Sequence, residues 1–129
     1  DWCVGANLAQ VLDQVNSPAV GACWDVANSF FVEPLTRTFT AIKSRIVHVH
    51  FKDASRENDK THSRLPGTGQ VAMREALALL RDHGYAGYLS FEWEKKWEPS
   101  LEEPDIAFPH YLTFTTGLMR ELGIRRGIR

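Results

Sequence analysis

Ile46-Val-His-Val-His50-Phe-Lys-Asp53 is a run rich in β-branched residues in which apolar and polar side chains alternate and which ends on an acid. A period of two puts Val47, Val49 and Phe51 on one face of a strand and Ile46, His48, His50 and Lys52 on the other. Two further segments repeat the pattern. In Val20-Gly-Ala-Cys-Trp-Asp25, the residues Val20, Ala22 and Trp24 oppose Gly21, Cys23 and Asp25. In Tyr88-Leu-Ser-Phe-Glu92-Trp-Glu94, the residues Leu89, Phe91 and Trp93 oppose Tyr88, Ser90, Glu92 and Glu94. Each strand therefore has one apolar face and one that turns polar toward its C-terminal end. A sheet covered by helices on both sides is apolar on both faces, whereas the interior of a barrel that opens into a site need not be.

The segments between the strands carry helical spacing. Leu8, Val11, Leu12 and Val15 predict an amphipathic helix over about residues 6–16, stopped by Ser17-Pro18. Glu33-Pro34 opens a second helix with Leu35, Phe39 and Ile42 as its buried stripe. Met73, Ala76, Leu77 and Leu80 mark a third, with Gly84 placed for a left-handed cap. Tyr111, Phe114, Leu118 and Leu122 mark the last, ended by Gly123. The alternation implies right-handed βαβ units and a parallel sheet, with three strands and four helices in all. Asp53 to about Gly69 is expected to be a polar loop, too long for a plain connector and suited to a lid or binding loop. Three parallel strands cannot close a barrel, and such an open sheet needs an association partner or more chain to cover it.

Composition excludes several classes. The chain has 129 residues, 43% hydrophobic and 24% charged, with a net charge of −1, which suits one domain over residues 1–129. The basic run Arg125-Arg-Gly-Ile-Arg129 is read as a solvated tail, and no polyanion-binding footprint indicates nucleic acid. No apolar run reaches membrane-spanning length. Cys3 and Cys23 form neither a disulfide framework nor a CxxC motif, and are expected to be reduced thiols of a cytoplasmic protein, with Cys23 on a buried strand. Opening on Asp1 with no Met, the chain is read as a fragment, a trimmed chain or a partly ordered protein.

Asp25, His50 and Glu92 end the three strands on a shared face, the pattern of a divalent-metal site at the C-terminal end of β/α units. Each residue also has a plainer reading. An aspartate at a strand end is commonly a helix cap, and Glu92 could pair with Lys52. His48, deeper on the same face, is expected to pack rather than ligate, and Lys52 and Asp53 could simply fix the loop. Gly67 and Gly69 are assigned to turn geometry, because no phosphate-binding pattern surrounds them. Carboxylates with one imidazole suit Mn²⁺ and Mg²⁺, with Co²⁺ or Zn²⁺ possible. Such a set can hold neighbouring oxygens of a substrate while a carboxylate moves an adjacent proton.

Four pieces in register carry a resemblance: Gly21-Ala-Cys-Trp-Asp25-Val-Ala-Asn28, His48-Val-His50-Phe-Lys52-Asp53, Leu65-Pro-Gly67-Thr-Gly69, and Gly84-Tyr-Ala-Gly87-Tyr-Leu-Ser-Phe-Glu92-Trp-Glu94. They resemble the C-terminal half of the xylose isomerase-like TIM barrels, the sugar-phosphate isomerase/epimerase superfamily. The resemblance implies a partial (β/α)8 barrel, a C-terminal half-barrel fragment in which strands one to five are missing. In that family strands five to eight supply Glu, Asp, His and Glu to one metal. The last three match Asp25, His50 and Glu92, and the first has no counterpart. The resemblance further implies substrate contacts. Asn28 stands where many relatives place a His, Arg56 matches an Arg that meets substrate oxygens, and Lys52 is assigned with them. The expected function is a divalent-metal-dependent sugar or polyol isomerase or epimerase working by enediolate proton transfer, with Glu92 as its catalytic residue. The alternative is a non-catalytic half-barrel remnant serving assembly or ligand binding. A metal-dependent nuclease is disfavoured, since it would need a richer His cluster and a phosphate-binding surface. A homodimer or a missing N-terminal half is expected to cover the open sheet.

Overall fold

Strand β1 (Ala22–Asp25), strand β2 (Ile46–His50) and the short β5 (Leu89–Ser90) form a three-stranded parallel sheet in the order β1-β2-β5. The computed structural model describes residues 1–124, so the basic run at 125–129 lies outside the described residues. The register pairs Asp25 with His50 across β1 and β2, and His50 with Ser90 across β2 and β5. Pairing stops at Ser90, short of the Tyr88 to Trp93 span expected from sequence, although the Ser90 carbonyl still accepts the Phe51 N–H at 2.9 Å.

The apolar face of the sheet is covered by helices. Ala22, Trp24, Val49 and Phe51 are all at most 1% exposed. They join one core with Leu12 of α1 (Gly5–Val15), with Leu35, Phe39 and Ile42 of α3 (Leu35–Ile42), with Ala76, Leu77 and Leu80 of α4 (Met73–Asp82), and with Tyr111 and Leu118 of α5 (Pro104–Glu121). Leu77 and Leu80 are completely buried, each stabilising the fold by roughly 1.5–3 kcal/mol relative to exposure. The Trp24 indole N–H donates to Ser29 Oγ at 3.2 Å, so its one polar atom is satisfied inside the core. Helix ends follow local chemistry: Asn16 and Gly84 take left-handed φ values of +44° and +69° where α1 and α4 stop. Pro104 begins α5, where a missing N–H costs nothing.

The structure corrects the expected count of elements. Besides the parallel sheet there is an antiparallel hairpin, β3 (Asp53–Glu57) with β4 (Lys60–Arg64), inside what was expected to be a polar loop. There are five α-helices among the described residues rather than four, because Val26–Phe30 forms a short helix, α2, directly after β1. The last helix starts at Pro104, well before the apolar stripe that signalled it. Cys23 is itself exposed although its strand neighbours are buried, because it lies on the polar face.

The rest of the loop is organised by Asp53, which is 1% exposed. Its carboxylate accepts four backbone N–H groups, those of Ala54 at 2.8 Å, Gly67 at 2.9 Å, Gly69 at 2.9 Å and Val71 at 3.1 Å. Gly67 has φ +88°, and a methyl group on Gly69 would overlap Asp53 Oδ1 and the Ala54 carbonyl. A second tie holds the hairpin to the segment after β5. His62 Nδ1 meets Glu98 Oε1 at 2.6 Å, and Glu98 Oε2 accepts the Ser63 N–H at 3.2 Å.

Replacing Asp53 by Ala leaves these donors, those of Ala54 and Val71 buried, without an acceptor. The expected loss is about 3 kcal/mol or more, read as a lower urea midpoint with an unchanged m-value. Gly69→Ala is expected to fall in the same direction.

Candidate metal centre

The polar face of the sheet collects its functional groups at the C-terminal ends of the strands. Asp25 closes β1 and is also the N-cap of α2. Its Oδ1 accepts the Asn28 N–H at 2.9 Å, and its Oδ2 accepts the Asn28 side-chain amide at 2.8 Å. The common role of a strand-end aspartate and the proposed ligand role thus coexist, since Oδ2 also faces His50. His50 closes β2, and its Nδ1 lies 3.3 Å from Glu92 Oε2 and 4.0 Å from Asp25 Oδ2. Glu92 follows β5 by two residues, which returns its side chain to the Ser90 face. Asp25, His50 and Glu92 each offer one ligand atom, and all three atoms lie within 4.8 Å of one another. Their side chains are 19%, 32% and 32% exposed, partly shielded yet open to a small ligand.

Lys52, also on this face, is more deeply placed. Its side chain is 7% exposed, and its ammonium bonds Glu92 Oε2 and stands 3.5 Å from Asp25 Oδ2. The ion pair that sequence offered as an alternative for Glu92 is therefore present. Burial pushes the Glu92 carboxyl up, but the Lys52 hydrogen bond and charge, helped by His50, outweigh it and hold Glu92 below its ordinary value. Burial likewise pushes Lys52 down, yet the bond to Glu92 and the charges of Asp25, Glu92 and Glu94 hold it above its ordinary value.

The other candidates are spread around this centre. Asn28 binds Asp25 through both its backbone and its side chain. Arg56 is drawn to one side, donating to the Phe31 carbonyl at 3.0 Å, with its guanidinium 5.0 Å from the centre of the Phe31 ring. His48 packs edge-to-face on His50 at 5.6 Å between ring centres. A cavity of about 230 Å³ lined by Trp2, Cys3, Leu8, Cys23, Trp24 and Asp25 opens beside the triad. Burial and the nearby Asp25 push both thiols up, so they stay protonated. Sequence assigned Asp53 only to the loop; its gathering of N–H groups lay encoded in the two glycines of Leu65-Pro-Gly-Thr-Gly69.

Two carboxylates and an imidazole converging from three β/α units form a candidate donor set for a divalent cation in a TIM-barrel-like fold. An ammonium already bonded among those oxygens shows that the position accepts positive charge. The model of the family described as "Xylose isomerase-like TIM barrel" matches residues 4–108, and the chain belongs to that family. Fructoselysine 3-epimerase of Escherichia coli O157:H7 is 29% identical over 91 residues, covering 70% of this chain and 32% of that protein. Fructoselysine 3-epimerase of Shigella flexneri matches to the same extent. The chain therefore spans about a third of the length of the curated relatives it matches. The crystal structure of a xylose isomerase domain protein from Planctomyces limnophilus superposes with a TM-score of 0.74 at 24% identity, over 92% of this chain and 42% of that one.

These matches correct one expectation. The family match is not confined to a C-terminal half: it runs across most of the chain, and the fold is an incomplete TIM-barrel-like one with a small parallel sheet and several helices. Motif order relates the ligand strands to one another but supplies no outer reference that would place them in one half. Among the described residues, no helix is long and apolar enough to cross a membrane.

The Lys52–Glu92 pair carries a pH signature. Glu92 is lowered, so its contribution is present above the ordinary carboxylate range and lost as pH falls through its lowered folded value. Lys52 is raised, so its contribution is complete below the ordinary lysine range and lost as pH rises through its raised folded value. Wild type minus Lys52→Met stability, from urea curves, is expected to be flat between about pH 5 and pH 10 and to shrink on both sides.

Proposed function

We propose that this chain carries the metal-binding and proton-transfer part of an isomerase or epimerase acting on a sugar or polyol. The observation that carries the proposal is the convergence of Asp25, His50 and Glu92 within 4.8 Å at the strand ends. Similarity to proteins named as 3-epimerases supports the reaction class. A divalent ion held by these three residues, Mn²⁺ or Mg²⁺ first and Co²⁺ or Zn²⁺ after them, would supply Lewis acidity toward adjacent hydroxyl and carbonyl oxygens.

The chain's own residues would do the rest. Glu92, whose carboxyl is held below its ordinary value in the ion-free protein, is the carboxylate to take the proton from the carbon beside a carbonyl and to return it, through an enediolate. Asn28 fixes the Asp25 carboxylate so that Oδ2 faces inward. Lys52 and the N–H groups of Arg56 not committed to Phe31 would meet substrate oxygens and offset the developing negative charge. Asn28 is close enough to the triad to contact the substrate as well. A non-catalytic ligand-binding or assembly role is the second reading, favoured by the ammonium that already engages Glu92. Among the described residues the sheet leaves the outer edges of β1 and β5 unpaired, with Val20 45% and Tyr88 60% exposed beside them, which supports a self-associated form.

Mn²⁺ is expected to raise the melting temperature of the chain, and His50→Ala to abolish the rise. Incubation of ketoses and inososes with Mn²⁺ in D₂O should exchange the proton beside the carbonyl, and Glu92→Gln should slow the exchange by roughly 10²–10⁴-fold. Metal-linked stabilisation without exchange on any of these sugars would favour the binding role. Separately, sedimentation is expected to find a dimer or larger species; a stable monomer at low concentration would remove the proposal of self-association.

A further inference from the structure

The ammonium of Lys52 stands against two of the three candidate ligands. It bonds Glu92 Oε2 and lies 3.5 Å from Asp25 Oδ2. The same two oxygens face His50 Nδ1 at 3.3 Å and 4.0 Å. A divalent ion using these oxygens would meet the ammonium at a separation where like charges repel strongly, in a pocket whose shielding weakens solvent screening. An ion that takes Glu92 Oε2 would compete with the ammonium for that oxygen. The backbone on either side of Lys52 is fixed, since Phe51 is completely buried and Asp53 is held by its N–H donors. The four torsions of the Lys52 side chain offer the relief. Without either cation, Asp25 and Glu92 would face each other as two partly shielded carboxylates, with Glu94 adding a third nearby charge.

We propose that Lys52 is a resident counter-cation: it holds Asp25 and Glu92 together in the ion-free protein and gives up its bond to Glu92 when a divalent ion enters. The inference rests on the metal-site reading above and concerns how the site is kept ready for the ion. It makes Lys52 a positioning residue whose removal has opposite effects on the two states. The ion-free protein loses a buried counter-charge and becomes less stable, while the ion loses a competitor and binds more tightly.

Titration of Mn²⁺ into ion-free protein by calorimetry tests this directly. Lys52→Met, which keeps the length of the stem, is expected to lower the ion-free melting temperature and to tighten the Mn²⁺ Kd by about tenfold or more. Lys52→Gln is the second variant should Met pack poorly. A further measurement needs no variant: acetylation of Lys52 in the wild-type protein, followed by mass spectrometry, should speed up when Mn²⁺ is added. Unchanged or weaker Mn²⁺ affinity in both variants, or acetylation that Mn²⁺ does not accelerate, overturns the inference while leaving the metal reading intact if wild type still binds the ion. Absence of any Mn²⁺ response in wild type and variants alike sinks the metal reading and this inference together. Binding in the variants but not in wild type would support the inference in its strongest form.

Discussion

Everything above the sheet hangs on the Asp53 carboxylate. It is buried, and it accepts N–H groups from its own hairpin, from the Leu65–Gly69 turn and from the approach to α4. A carboxylate buried this way is tolerable only because several donors point at it together. The interaction therefore fixes three chain segments with one side chain. It also fixes the end of β2, and with it the positions of His50 and Lys52 one to three residues earlier.

From that anchor the site follows by register. β2 is the middle strand, so His50 has Asp25 beside it on one side and the strand leading to Glu92 on the other. Parallel pairing and a period of two bring Asp25 and His50 together, and Glu92 continues the alternation two residues past the paired part of β5. The loops add a second tier: Asn28 grips Asp25 from α2, and Lys52 bridges Asp25 and Glu92. Negative charge is thus concentrated where a cation is wanted and is balanced from within by a lysine that water barely reaches.

Much of this was legible in the sequence, and the exceptions have physical causes. Alternation located Asp25, His50 and Glu92 on one face because half-buried strands must separate polar from apolar side chains. The hairpin escaped because Lys60-Thr-His-Ser-Arg64 has no apolar face; its arms are held by ladder hydrogen bonds and by the His62–Glu98 tie, which leave no hydrophobic period. A cue did exist in Asn58-Asp59, whose φ values of +48° and +62° suit a two-residue hairpin turn. Helix α2 has five residues, too few to show a stripe, and rests on its Asp25 cap instead. The first turns of α5 precede its periodic residues and were signalled only by Pro104. Lys52 was read both as a partner of Glu92 and as a substrate contact, since spacing cannot tell a side chain that reaches outward from one that folds back onto its neighbours.

The hairpin tip lies five residues beyond Asp53 along the chain, past the last rung of a ladder whose base is locked by that carboxylate. Lengthening or recomposing the tip would leave the strand ends where they are. Sequence drift at the tip is therefore uncoupled from the strand ends that carry Asp25, His50 and Glu92.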